Sequence, residues 1–569
     1  MRKGFLALMM FAVLAPANAR VFYASDYGCV AGGQDNSSQF RRIAADINKE
    51  KGGTLVFEKG KQYYVEIKPD FSSGHTAEPS ADATAFFFQH CGNLKIDLNG
   101  STIIVKANNS TKYAIFRLQD CASFSIRDGT LQGDADGHDY SAVTYGGKRE
   151  NSTHEWGHGI IVNGSKGMIE NLHIFNMTGD GIKTGSFRSK NGVYHAKVTI
   201  RDVEIYNCRR NGIACLSSCG TKIQRTTIHE IGSFGKVKGT SPEAGIDLEY
   251  EDGVGDAGDV TIRNCRISDC TQKVISASNS TPPTPRKLLI EKCYLEGSNF
   301  QIANTKPVKC MTVSNCTVVH CPINLGKAKV TNTTFDLRQS VNYVSGGDYC
   351  NCSFKGVLDG LESVHGCTIT GTNLDEAKFT DCTFADIRAA NNNSPAYQGF
   401  SAYNFPLCAS FYRCNFTNCS FVRGNPKYAS SFSFYSSELS DGCMIYNEND
   451  DIPVTFSKCT LTDVSAYQTQ KGRFQFTKST IIQCDTSVSQ PLLLFGTNTL
   501  VRCNVIDNVG FPESAKRHGI KAYKLDASRS NIEMTSGHVV TAGMALTKGS
   551  VKGVDKESFK GNDTSVKFK

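Results

Sequence analysis

The chain has 569 residues, a formal charge of +8 at pH 7 and 23 cysteines. That length supports a large core, and an odd cysteine count in so long a chain argues against a small module stapled by disulfides. No run of about 18 apolar residues occurs beyond the start, which excludes an ordinary membrane-spanning helix. The modest positive excess suits an acidic polysaccharide or a plain solvated surface equally, and no nucleic-acid partner is read from it.

In chain order, residues 1–19 read as a secretory leader. Arg2 and Lys3 precede an apolar run from Phe5 to Leu14, and Ala17-Asn18-Ala19 forms a small-residue cleavage site. The mature chain is expected to be secreted or periplasmic, monomeric, and a single domain over residues 20–569. Residues 37–53 open with Ser37 and place Phe40, Ile43, Ala44 and Ile47 on one face. This spacing predicts an amphipathic helix ending at Gly52-Gly53, covering the open edge of the first strands.

Beyond this helix the chain is strand-like and repetitive. Short, alternating, β-branched-rich runs are bounded by Gly, Asn, Asp or Ser and recur irregularly, with almost no helical period. Four carry a shared phrase: "HGIIV" (158–162), "DGIKT" (180–184), "NGIAC" (211–215) and "AGIDLE" (244–249). If their isoleucines align inward, Ile161, Lys183, Ala214 and Asp247 form one outward row, with Asn163, Gly185, Leu216 and Glu249 in the next. Two long polar excursions, 133–157 and 232–245, flank these segments. Further on, cysteine precedes x-(aliphatic or Phe) in "NCRI" (Cys265), "KCYL" (Cys293), "NCTV" (Cys316), "NCSF" (Cys352) and "DCTF" (Cys382). Thr333 and Ser479 stand at the equivalent point, so the ladder reads as a row of small interior residues rather than a metal site. The pattern predicts an all-β solenoid whose turns pair edge to edge.

The opening "DYGCVAGGQDNSSQFRRIAADINKEKGGTLVFEKGKQYYV" (26–65) resembles that of the pectate-lyase-like superfamily. The shared elements are Asp-Tyr-Gly, a Gly-rich Asp turn, a helix, Gly-Gly-Thr and a Gly-x-Tyr strand. The resemblance implies a single-stranded right-handed parallel β-helix with an N-terminal capping α-helix. It leaves the chemistry open among lyases, hydrolases, tail-spike depolymerases and non-catalytic binders.

The ionisable and aromatic residues of the four segments point to a uronate polymer, either pectic or a glycosaminoglycan such as chondroitin or hyaluronan. Its lysis needs a cation at the carboxylate, a base for the C5 proton and a proton for the leaving oxygen. His158 or Lys183 is the expected base, Tyr140 or His138 the proton donor, and Asp180 an orienting carboxylate. Trp156 offers a sugar platform beside His154 and Glu155, while Arg209, Arg210 and Asn211 face the carboxylate. Asp247 and Glu249 complete the substrate-binding set. The plainer readings are turn formers for Asp180 and Asn211, a core anchor for Trp156 and solvated positions for Asp247 and Glu249. The sequence names no cofactor outright, although Asp180, Asp247 and Glu249 could hold calcium. A glycoside hydrolase using Asp180 with Asp247 or Glu249 is the second reading, and a non-catalytic carbohydrate-binding rod the third. The polygalacturonase order of motifs is not matched, because "GHG" (157–159) precedes the aspartate of "NMTGD" (176–180).

Overall fold

A computed structural model describes residues 20–71, 78–141, 154–216, 220–234, 238–248, 259–277 and 287–301, then the strands and corners of later coils without most of their connecting loops. The leader segment lies outside the described residues. The chain divides into two compact units, Met1–Cys208 and Arg209–Lys569.

Helix α1 (Ser37–Lys49) buries Phe40, Ile43, Ala44 and Ile47, one apolar stripe at helical spacing. Phe40 stacks on Phe86 with ring centroids 4.3 Å apart, so the helix closes over the first layer of the interior. It stops four residues short of the predicted end. Lys51 takes φ 57°, and Gly52 and Gly53 take φ 138° and 146° while already pairing, as strand Gly52–Val56, with Asn93–Asp97. A Cβ on Gly52 would collide with the Asn93 backbone. The glycine pair therefore opens a strand instead of closing the helix.

In the first unit β1 (Thr84–Gln89), β2 (Lys112–Gln119), β3 (Trp156–Asn163) and β4 (Ile182–Ser189) pair in parallel, in that order. A short strand, β5 (Gly192–His195), turns back antiparallel on β4. A second parallel face runs through Asn93–Asp97, Phe124–Gln132, Lys166–Phe175 and Lys197–Tyr206. Register sets Phe86, Phe116, Ile160 and Ile182 in one fully buried inward row. The two-residue period then places Phe87, Arg117, Ile161 and Lys183 in an outward row. In the second unit β6 (Asn211–Cys215), β7 (Ala244–Asp247) and β8 (Lys273–Ser276) repeat the arrangement. There Ile213, Ile246 and Ile275 face in, with Ala214, Asp247 and Ser276 in the adjoining row.

The described corners of the ladder coils turn at one residue in the left-handed region, followed by the small residue of the ladder. Asn264, Lys292, Asn315, Asn332 and Asn351 take φ between 50° and 55°. Asn visits this region more readily than most residues, because its short polar side chain can bond locally. The corner N–H groups continue the coil-to-coil ladder, as in Asn315 N–H to the Thr331 carbonyl at 3.0 Å. The next side chain turns inward. Cys316 Sγ lies 3.3 Å from the Ser314 carbonyl, Thr333 Oγ1 3.0 Å from that of Thr331, and Ser479 Oγ 3.1 Å from that of Thr477. Thiol and hydroxyl thus make the same contact, two residues back. Above them aromatic rings stack through the interior, from Phe354 on Phe384 at 4.8 Å to Phe456 on Phe476 at 4.8 Å.

Candidate active site

The two Gly-x-Gly phrases make room. A Cβ on Gly157 would run into the Thr178 hydroxyl and the Tyr113 ring, and one on Gly159 would come 2.6 Å from the Gly181 carbonyl. Their close approach seats His158 against Asp180. The Asp180 N–H donates to His158 Nδ1 at 3.1 Å, and an Asp180 carboxylate oxygen lies 3.3 Å from the same nitrogen. Both side chains are buried.

A second cluster stands at the entrance to β3. Asp134 lies just past strand Phe124–Gln132, and its Oδ2 accepts from the Asn108 backbone N–H at 3.0 Å and from Asn108 Nδ2 at 2.8 Å. The same oxygen lies 2.8 Å from His138 Nδ1, and His138 Nε2 lies 2.8 Å from His154 Nδ1. All three residues are buried. The partners determine the tautomers. A carboxylate fixes the proton of His138 on Nδ1, so its Nε2 accepts, and His154 must donate from Nδ1. The lone pair of His154 is then on Nε2. The Tyr140 ring packs against both imidazoles at 4.6 and 5.7 Å, while its hydroxyl donates to the Ala135 carbonyl at 3.0 Å. Burial, and then the Asp134 charge, push the Tyr113 phenol well above its usual range, so it stays neutral beside the carboxylate.

Trp156 begins β3, half-buried, directly after this cluster. Its register partner across the coil is Lys112, whose Nζ sits 5.3 Å from the indole centroid. Lys112 is fully buried, and burial lowers its pKa. Further along the outward row, Lys183 Nζ pairs with Glu78 Oε1 at 3.2 Å. Burial acts to raise the Glu78 pKa, but the Lys183 and Arg117 charges and the Asn163 side chain outweigh it and hold the carboxyl below the usual range. Lys183 is thus engaged by a carboxylate delivered from another part of the first unit.

The remaining candidates stand in the second unit. Arg209 is buried and donates from Nε to the Lys238 carbonyl at 2.8 Å, while its own carbonyl accepts from Thr240 N–H at 3.0 Å. Asn211, fully buried, accepts on Oδ1 from Ala244 N–H at 3.1 Å and so ties β6 to β7. Arg210 is half-buried next to it, and Asp247 is buried beside Ala214 and Ser276. Glu249 and residues 142–153 of the first excursion lie outside the described residues, as do 235–237 of the second. Glu155 is half-buried between His154 and Trp156.

Asp134, Glu78, Arg117 and Lys112 were not among the residues singled out from the sequence. Asp134 stands four residues before His138 in "DADGH", a spacing that pairs side chains across a tight turn. Arg117 and Lys112 interrupt an otherwise apolar strand, "KYAIFRLQ". Glu78 carries no local signal.

Residues 149–335 match the family model described as a right handed beta helix region. Coil-by-coil parallel pairing carries the same β-helix architecture through described coils on both sides of that stretch. It is 32% identical over 209 residues to the SPbeta prophage-derived uncharacterized protein YorA of Bacillus subtilis (strain 168), covering 33% of this chain and 34% of that one. It is 34% identical over 182 residues to the uncharacterized protein YclG of the same organism, covering 30% of each. The matched stretch thus spans about a third of the length of these curated relatives. Among solved structures, a tailspike double mutant of E. coli bacteriophage HK620 in complex with a pentasaccharide is 10% identical with a TM-score of 0.34, over 96% of this chain and 80% of that one.

Proposed function

We propose that this protein is an exported carbohydrate-active enzyme that cleaves a uronic-acid-containing polysaccharide by β-elimination. The observation that carries the reading is the Asp134–His138–His154 chain, whose last member stands two residues before Trp156, with Lys112 against the same indole. A sugar stacked on Trp156 meets an imidazole on one side and an ammonium on the other. Lys112 offsets the charge of the uronate carboxylate and so acidifies the C5 proton. His154 Nε2 takes that proton, and the Asp134 carboxylate, acting through His138, stabilises the imidazolium. As the C4–O bond breaks and the C4=C5 double bond forms, His154 returns the proton to the leaving oxygen. The hydrolase reading asks Asp180 for a carboxylate already engaged with His158.

The test is a panel of pectic polymers and glycosaminoglycans, assayed both by absorbance of the unsaturated chain end and by reducing ends. Turnover with both signals is expected, and His154→Ala should lower kcat by about 10²-fold or more. Reducing ends without the absorbance move the protein to the hydrolases. Binding without either signal makes it a carbohydrate-binding rod.

A further inference from the structure

We propose that Lys183 and Arg117 form a carboxylate-binding subsite whose resident occupant is the side chain of Glu78. The proposal rests on the uronate reading for its substrate class alone.

Both cations project from the same outward row, Arg117 on β2 and Lys183 on β4, with Ile161 of β3 between them. Glu78 stands 105 residues from Lys183 in the chain. Its carboxylate is therefore delivered to the row by tertiary structure. Arg117 grips the same segment, donating from Nη1 to the Pro79 carbonyl at 2.7 Å, while Nη2 donates to Gln119 Oε1 at 3.0 Å. Arg117 Nε is buried and has no hydrogen-bond partner among the described residues. A guanidinium satisfies a carboxylate best through two parallel N–H groups. Glu78 instead contacts Lys183 and the Asn163 side chain and acts on Arg117 through charge. A ligand carboxylate reaching Arg117 Nε as well as Lys183 Nζ has more to gain here than Glu78 has. The pair is also largely shielded from water, with side chains 10% and 19% exposed for Lys183 and Glu78. Both cations thus stand on the sheet that also carries Lys112 and Trp156, and Lys112 is close enough to feel the Glu78 and Lys183 charges. The geometry is that of an anion seat closed by an internal anion, which a polyuronate must displace.

Calorimetric titration with oligogalacturonate, oligoglucuronate and their methyl esters tests this on the full chain. Glu78→Gln keeps the side chain's shape and removes its charge, so it should bind one of the acid oligosaccharides about tenfold more tightly than the wild type. The methyl esters should show no such gain, and a double variant adding Arg117→Lys should lose it, since lysine lacks the paired donors. A folded Glu78→Gln that binds no acid oligosaccharide more tightly than wild type overturns the proposal. Should Glu78→Gln fail to fold, Glu78→Ala is examined by thermal melting. A saturable rise in its midpoint with sodium galacturonate or glucuronate, absent with sodium chloride of equal ionic strength, supports the subsite; no rise overturns it. Cleavage of a polyuronate by a protein whose Glu78→Gln variant gains no affinity removes the subsite and leaves the lyase standing. Gained affinity with no product from any substrate does the reverse.

Discussion

Gly157 sits where any side chain would have to share space with the Tyr113 ring and the Thr178 hydroxyl. Gly157→Ala should therefore destabilise the first unit by about 1–3 kcal/mol, the usual cost of overfilling a packed interior. It should also weaken catalysis, because Tyr113 faces Asp134. Chemical denaturation and a kcat measurement on the same preparation check both. Asp134 invites the complementary experiment. Asp134→Asn preserves shape but can turn its amide donor toward His138 and reverse both imidazole tautomers. On the lyase reading the expected outcome is a folded protein whose kcat drops while KM holds, since that reading gives Asp134 to proton transfer rather than to sugar binding. Loss of KM alone would make the cluster a structural one. The glycine phrases and three of the imidazoles were legible as polar features of adjacent coils. The Asp134 carboxylate behind His138 and His154 was not, because its role depends on a contact between loops that no local pattern records.

At the scale of the strand and corner, sequence and structure agree closely for a physical reason. A coil needs a backbone turn of about one residue, an inward small side chain and an outward-inward alternation, and each leaves a local mark. "NCTV" is such a mark: Asn315 takes φ 54°, Cys316 is 3% exposed, and Thr317–Val319 resumes the strand. Asn315→Gly should be nearly neutral, since glycine occupies this region freely. Asn315→Val should cost about 1–2 kcal/mol, because its β-branch clashes where φ is positive. Equilibrium unfolding of the two variants against wild type checks the difference. Cys316→Ser should cost less than Cys316→Leu, since Ser479 and Thr333 already make the same carbonyl contact elsewhere in the chain. The helix end was misread because Gly52-Gly53 serves strand entry as readily as helix exit. Only the neighbouring Asn93 backbone decides between them.

For the molecule as a whole, the fold was legible because it is one local rule applied many times, whereas the ion pair between Glu78 and Lys183 joins residues 105 apart and no periodicity predicts it. The fold also buries individual thiols whose ionisation differs from that in an unfolded chain. Burial pushes Cys29 and Cys208 in the first unit, and Cys321 in the second, up to about 12, against about 8.5 for an exposed thiol. A raised folded value means that the native state keeps protons the unfolded chain releases. The associated stability is complete below about pH 8.5 and is lost as pH rises toward 12. Each such thiol contributes a slope of about 1.4 kcal/mol per pH unit in that window, so Cys29 and Cys208 together give the first unit roughly 3 kcal/mol per unit. Tyr63, also held near 12 chiefly by burial, adds to the loss only above about pH 10, where an exposed phenol begins to ionise. Between pH 8.5 and 10 the decline should therefore belong mainly to thiols. Urea midpoints taken across that range should fall steeply for the wild type and less steeply for a Cys29→Ser/Cys208→Ser double variant, whose hydroxyls do not titrate there. Parallel slopes in the two proteins would mean that these two buried thiols are not what sets alkaline stability.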